Sequence, residues 1–97
     1  MSTGYLIPAE TCRVTTTVSN SRFVTTIGRV DTVDEAKAFL KELCRKKRFA
    51  KATHNSWALL TAEGPLKNDD GEAGAGMVIL RMLEREGLRD HIVVVTR

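Results

Sequence analysis

Two clusters of polar residues in this 97-residue sequence have side chains that could carry chemistry. The first cluster contains His54 and Asn55, and the second contains Asp69, Asp70 and Glu72. A histidine near carboxylates can act as a general base or as a metal ligand. We therefore treat these five residues as a candidate functional groove. One hypothesis for the groove is a metal-dependent enzyme, or the relic of one, in which His54 is the base and the acids hold a divalent ion.

Several established catalytic and ligand-binding motifs are absent around this groove. Residues 71–76 have neither G-x-G-x-x-G spacing nor a P-loop lysine–serine pair after them. An EF-hand loop is excluded because Met77 stands where its final glutamate should be. No serine or cysteine lies in a recognisable nucleophile motif. We therefore expect no catalytic residue, no metal and no cofactor, and a structural histidine beside a hydrogen-bonded turn is the more ordinary interpretation.

A strongly basic stretch runs from Lys37 to Lys51. It contains seven basic residues and one acid, Glu42, so its charge of +6 exceeds the net charge of +3 of the whole chain. Such a stretch favours a nucleic acid or an acidic protein surface as partner. The alternative is a solvated helix end whose cations complement the helix dipole. The candidate basic patch consists of Lys41, Arg45, Lys46, Lys47, Arg48 and Lys51.

Length and composition describe an ordinary globular protein. With 42% hydrophobic and 28% charged residues, the chain is neither a disordered tail nor a disulfide scaffold, and we expect residues 1–97 to form one domain. No apolar run approaches the roughly 20 residues that cross a bilayer. The first residues lack the basic and apolar regions of a signal peptide. We therefore expect a cytoplasmic protein with no membrane partner.

Four strands follow from the pattern of apolar residues. Residues 12–18 alternate with period two, residues 19–21 break the pattern, and residues 23–30 resume it, which predicts an antiparallel hairpin. Residues 52–61 predict a third strand, followed by a polar loop over residues 63–71. The continuous apolar run of residues 92–95 is typical of a strand that is buried on both faces.

Two helices are predicted between these strands. The capping box of Thr32 and Glu35 begins a helix over residues 33–47, with an apolar stripe at helical spacing. A second helix is predicted over residues 74–86, with Ile79, Leu80 and Leu83 facing inward and Gly87 ending it. The resulting order, ββαβαβ, predicts an α/β (α+β) domain with two layers: a mainly antiparallel sheet with both helices on one face.

Seven segments in order give the chain a resemblance to a known family. They are Tyr5–Pro8 (YLIP), Ser21–Phe23 (SRF), Glu35–Phe39 (EAKAF), Lys51–Ala58 (KATHNSWA), Asn68–Glu72 (NDDGE), Gly87–Leu88 (GL) and Val93–Arg97 (VVVTR). Together they resemble the amino-terminal domain of the IMPACT/YigZ family over nearly the whole chain. The resemblance implies a fold like that of a domain in a small-subunit ribosomal protein. Family members include a eukaryotic regulator of translation that binds the ribosome-associated coactivator of an initiation-factor kinase.

The sequence departs from that family at three places. Ser56 stands where the family commonly has cysteine, which weakens any inference of thiol chemistry. The loop after Glu72 is shorter than usual and reads AGAGM. The chain also stops at Arg97, where the family ordinarily continues. We therefore expect either a truncated form or a minimal relative.

Two expectations about function follow. The first is a non-enzymatic binding module, associated with translation, whose partner is RNA or a ribosome-associated protein; the metal-dependent enzyme above is its alternative. The second concerns assembly. An apolar strand without cover favours self-association, so we expect a homodimer or a higher even-numbered oligomer with contacts at Val93, Val94 and Val95.

Overall fold

The structure is a computed structural model that describes residues 12–97. These residues form one sheet and three helices. The elements in chain order are β1 (Cys12–Val18), β2 (Ser21–Arg29), α1 (Val33–Leu43), α2 (Lys47–Ala50), β3 (Asn55–Thr61), β4 (Gly64–Asn68), α3 (Ala75–Glu86) and β5 (His91–Thr96). The five strands pair in the order β1-β2-β5-β3-β4, and every pairing is antiparallel. The predicted α+β class with a mainly antiparallel sheet is confirmed.

The predicted hairpin is present and its register is fixed by a two-residue turn. Val18 pairs with Ser21, and the pairing continues to Cys12 opposite Ile27. Ser19 and Asn20 both have positive φ, at 49° and 67°. Two consecutive residues with positive φ match the twist of the flanking strands, so this turn lets β1 and β2 pair along the full length of β1.

Helix α1 begins where the sequence predicts and ends earlier. Thr32 Oγ1 accepts a hydrogen bond from the backbone nitrogen of Glu35 at 3.1 Å, as the capping box requires. The helix stops at Leu43, so the predicted end at residue 47 is wrong. Position 47, the next on the apolar stripe, is a lysine. The chain instead turns and forms the separate helix α2, which buries Phe49 completely in the core.

Strand β4 occupies part of the segment predicted as a polar loop. Residues 64–68 pair with β3 at the edge of the sheet, and four of the five are exposed. Pro65 and Lys67 are residues that protect sheet edges, and they give no apolar alternation from which a strand could be predicted. Strand β3 also begins at Asn55, three residues later than predicted. The observed order is therefore ββααββαβ.

The helices cover both faces of the sheet. Leu59, Ile92 and Val94 pack in one cluster with residues of α1 and α2, whereas Ala58 and Val93 pack in another with residues of α3. Neighbouring residues along a strand point to opposite faces, so α1 and α3 lie on opposite faces. The prediction of two layers with both helices on one face is therefore wrong. Both faces of β3 and β5 are apolar, so the pattern of residues does not predict which face a helix covers.

Helix α3 follows its prediction closely. Ile79, Leu80 and Leu83 are buried, and Gly87 ends the helix in the left-handed conformation at φ 67°. Leu88 N donates to Leu83 O at 2.9 Å, the bond that defines a Schellman motif. Within the described residues no helix has the length and apolar character needed to cross a membrane.

Strand β5 lies in the middle of the sheet, between β2 and β3. The prediction of burial on both faces is confirmed for Ile92, Val93 and Val94, of which no more than 1% is exposed. The chain itself covers these residues. The oligomer contact at Val93 and Val94 was predicted because the strand was expected to be uncovered, and that reason does not hold for them. Val95 is half-buried. Self-association itself stays a prediction.

Candidate functional site

The fold brings the two polar clusters of the candidate groove together. The loop that follows β4 folds back against the start of β3, where His54 Nδ1 donates to the carbonyl oxygen of Asp70 at 2.7 Å. The backbone nitrogen of Asn55 donates to Asp70 Oδ2, also at 2.7 Å. His54 and Asp70 therefore meet as the sequence hypothesis requires, but one ring nitrogen of the histidine is already occupied by a backbone bond.

Asp69 fixes the beginning of α3. Its Oδ1 accepts from Gly76 N at 2.7 Å and its Oδ2 accepts from Gly74 N at 3.0 Å. These two backbone N–H groups favour the ionised carboxylate and, with a smaller contribution from Lys67, hold the pKa of Asp69 below its ordinary value. Both oxygens of this side chain are therefore engaged by backbone N–H groups at the beginning of α3, although Asp69 lies five residues before the N-cap residue, Gly74.

Asn55 connects three parts of the structure. Its Nδ2 donates to Phe49 O at 2.8 Å, and its Oδ1 accepts from Thr96 Oγ1 at 2.7 Å. The neighbouring residue, Ser56, is buried and its hydroxyl donates to Asp69 O at 2.7 Å. Ser56 occupies the position where the family resemblance leads one to expect cysteine. Here its hydroxyl holds residues 69–72, which we call the acidic loop, in place.

Glu72 completes the network at the end of β5. Its Oε1 lies 2.8 Å from Arg97 Nη1, and Arg97 N donates to His54 O at 3.0 Å. The carboxylates of Asp69, Asp70 and Glu72 thus each bind a different N–H group of the chain. Within residues 12–97, no three His, Cys, Asp or Glu side chains are grouped as metal ligands would be. The arrangement supports a structural network and gives the metal-dependent enzyme no support.

The basic patch extends along the last turn of α1, the connection after it and helix α2. All six of its cations are exposed. Arg45 pairs with Glu42 at 3.2 Å, while the other five form no ion pair within the described part of the chain. Exposed cations without a carboxylate partner attract polyanions. The chemistry available to the patch is therefore the binding of phosphate or carboxylate groups.

Arg13 is a neighbour of this patch that sequence reasoning missed. Its Cζ lies 5.0 Å from the centre of the Phe49 ring, and the Cζ of Arg48 lies 4.7 Å from the same centre. Arg13 Nε also donates to Thr26 Oγ1 at 3.2 Å. The alternation of β1 predicts which residues share a face with Arg13. It does not predict that α2 packs beside that face, because this contact joins distant parts of the chain.

The comparisons with known proteins agree with one another. The profile of the family described as the Impact N-terminal domain matches residues 19–97. The chain belongs to the IMPACT family. A relative described as IMPACT family member YvyE, from Bacillus subtilis (strain 168), is 38% identical over 85 residues, which are 82% of this chain and 38% of that protein.

A solved structure supports the fold of this IMPACT chain. The protein, described as "Crystal structure of an hypothetical protein", matches with a TM-score of 0.81 and 29% sequence identity. The match covers 96% of this chain and 48% of that one. The IMPACT chain thus spans less than half the length of both proteins. The resemblance that the seven sequence segments indicated is confirmed at the level of the family.

Proposed function

We propose that this IMPACT chain is a non-enzymatic binding module that associates with the translation machinery by binding RNA through the basic patch. One observation carries the proposal: five of the six exposed cations of the patch have no carboxylate partner within residues 12–97. The proposal implies a cytoplasmic protein. The activity of any longer family member is a separate matter, since the chain spans less than half of its matched relatives.

The charge distribution supports a polyanion as the partner. A protein that neutralises phosphates with lysine and arginine releases the counterions bound to the nucleic acid, and this release drives binding. Glu42 is the one acid between Lys37 and Lys51, and it is already paired with Arg45. A ligand that binds the basic patch therefore meets six exposed cations and one acid that is already paired.

The contacts of the candidate groove favour a non-enzymatic role for its side chains. Asp69, Asp70 and Glu72 bind backbone or arginine N–H groups, and Ser56 is buried with its hydroxyl engaged. A nucleophile or general base needs a side chain within reach of a substrate. These side chains instead hold the ends of β3, β5 and α3 together.

The test compares two double variants of equal charge change. Arg45→Glu with Lys47→Glu reverses two cations of the basic patch. Arg81→Glu with Arg85→Glu reverses two exposed cations of α3, on the opposite face of the sheet. Both variants lower the net charge equally. A difference between their RNA affinities therefore depends on where the charges lie and not on the overall charge of the protein.

Retention on immobilised ribosomal RNA is measured over a range of salt concentrations. We expect the wild-type chain to bind with a steep salt dependence, the patch variant to lose at least tenfold in affinity, and the α3 variant to lose much less. Equal binding by the patch variant and the wild type would contradict the proposal, as would equal losses in both variants. Thermal unfolding of both variants checks that they remain folded.

A further inference from the structure

We propose that the RNA-binding surface continues from the basic patch onto the β1–β2 hairpin, where Arg13 and Arg48 together hold the backbone of duplex RNA. This inference rests on the function proposed above and names both the additional residue and the form of RNA. It starts from the contact of the two arginines with one buried aromatic ring.

Phe49 gives these two arginines a fixed support. Its side chain is completely buried, so the position of its ring is set by core packing. Cations within about 6 Å of a ring centre are attracted by its electron density. Arg13 and Arg48 both satisfy this condition, and both are exposed residues. Both guanidinium groups are therefore anchored on the same ring before any ligand arrives.

The two guanidinium groups keep most of their hydrogen-bonding capacity. Arg13 donates to Thr26 through Nε, and its two terminal nitrogens have no partner within residues 12–97. Neither Arg13 nor Arg48 forms an ion pair in the described part of the chain. Guanidinium groups bind phosphate oxygens in bidentate geometry.

The hairpin presents further polar groups on the face that carries Arg13. Thr15 and Thr17 follow Arg13 at intervals of two residues, so the three side chains share a face. Arg22 pairs with Thr17 across the strands and is exposed on the same face. Hydroxyl and guanidinium groups contact phosphates and the 2′-hydroxyl groups of RNA. The hairpin thus extends the basic patch with groups that suit a ribose-phosphate backbone.

The scarcity of exposed aromatic residues favours duplex RNA over single strands. Proteins that bind single strands stack bases on aromatic side chains, whereas duplex RNA is recognised through its backbone and its shape. Among residues 12–97 no aromatic side chain is fully exposed: Phe39 and Phe49 are buried, and Phe23 and Trp57 are half-buried. The surface therefore offers backbone contacts without a stacking platform.

The experiment measures binding of a fluorescent RNA duplex of about 16 base pairs as salt is raised, the length that duplex-binding domains commonly span. The variants are Arg13→Gln, Arg48→Gln and Arg13→Lys, and Arg81→Gln on α3 is the matched control. Each phosphate contact contributes roughly 0.9 to the slope of log affinity against log salt concentration. We expect each glutamine variant to make the salt dependence less steep by about that amount. Arg13→Lys should keep most of the wild-type steepness, and Arg81→Gln should leave the steepness unchanged.

The outcomes separate this inference from the proposed function. If Arg45→Glu with Lys47→Glu abolishes binding while Arg13→Gln and Arg48→Gln keep the wild-type slope, the function stands and the extension onto the hairpin is wrong. If the patch variant binds like the wild type, the proposed function itself is wrong. Thermal unfolding of Arg13→Gln shows whether loss of the Phe49 contact changes the fold.

Two further probes test the choice of ligand. A single-stranded RNA of the same length should bind more weakly than the duplex, and tighter binding of the single strand would overturn the assignment to duplex RNA. Polyglutamate of matched charge should also bind more weakly than the duplex. Equal affinity for polyglutamate, with the same dependence on Arg13, would instead assign the surface to an acidic protein.

Discussion

Asp69 packs directly against the backbone of Gly76 at the beginning of α3. Asp69 Oδ1 accepts a hydrogen bond from Gly76 N at 2.7 Å, and a Cβ atom added at Gly76 would lie 2.7 Å from that same oxygen. The aspartate can therefore approach the backbone because residue 76 has no side chain. This pair links the acidic loop, one of the segments that carry the family resemblance, to the helix that covers one face of the sheet.

We predict that Gly76→Ala destabilises the protein. Alanine favours helices over glycine by about 1 kcal/mol, but its Cβ would displace the carboxylate of Asp69 and would also lie 3.2 Å from Lys67 Cβ. Overpacking of this kind typically costs about 1–3 kcal/mol. Denaturant unfolding measures the change, with Glu84→Ala on the exposed side of α3 as control. A stability equal to or above that of the wild type would show that the loop moves aside at no cost.

The pKa of Asp69 predicts how its contribution depends on pH. Bonds from Gly74 and Gly76 lower the pKa of this carboxyl in the folded state. Its contribution to stability is therefore present above the ordinary aspartate pKa of about 3.9 and is lost as the pH falls through the lower, folded-state pKa. Unfolding of the wild type and of Asp69→Asn should differ most at neutral pH and should converge on acidification. A difference that stays constant down to the most acidic conditions would contradict this linkage.

Gly28 and Phe39 make a second close fit, at the opposite face of the sheet. A Cβ atom at Gly28 would overlap the Phe39 ring, with Cζ at 2.8 Å and Cε2 nearer still. We predict that Gly28→Ala destabilises the protein by about 1–3 kcal/mol, because the buried Phe39 ring would have to shift within the core to make room. Adding Phe39→Leu to this variant should recover part of the loss, and denaturant unfolding of both variants tests it. Additive losses in the double variant would show that the two positions are not coupled.

The sequence predicts most of this fold through local signals. The hairpin, the capping box at Thr32 and the end of α3 at Gly87 each depend on residues that are close together in the chain. The errors lie where distant segments decide the structure. Strand β4 exists because β3 pairs with it, and the separate helix α2 after α1 places Phe49 in a core that it shares with residues of β3 and β5.

For the candidate site, too, the sequence predicts one part and not another. The sequence predicts that His54, Asn55 and the three acids form one groove, and the fold places them together. Whether those groups are free for chemistry depends on their partners, which the sequence does not show. Arg13 was missed for a related reason, since its contact with Phe49 joins residues that are 36 positions apart in the chain.

The prediction of self-association can now be tested at residues that are accessible. Val14 and Val18 of β1 are 59% and 55% exposed, and β1 lies at one edge of the sheet described by residues 12–97. The other edge, β4, carries Pro65 and Lys67, which discourage pairing with another chain, whereas β1 carries neither residue type. We predict that the even-numbered assembly uses β1 and that Val14→Lys with Val18→Lys dissociates it, because two lysines would have to be buried without a partner. Sedimentation at micromolar concentration measures the mass, with Leu66→Lys on β4 as control. A wild-type monomer, or an assembly that the β1 variant leaves intact, would show that this edge does not join two copies.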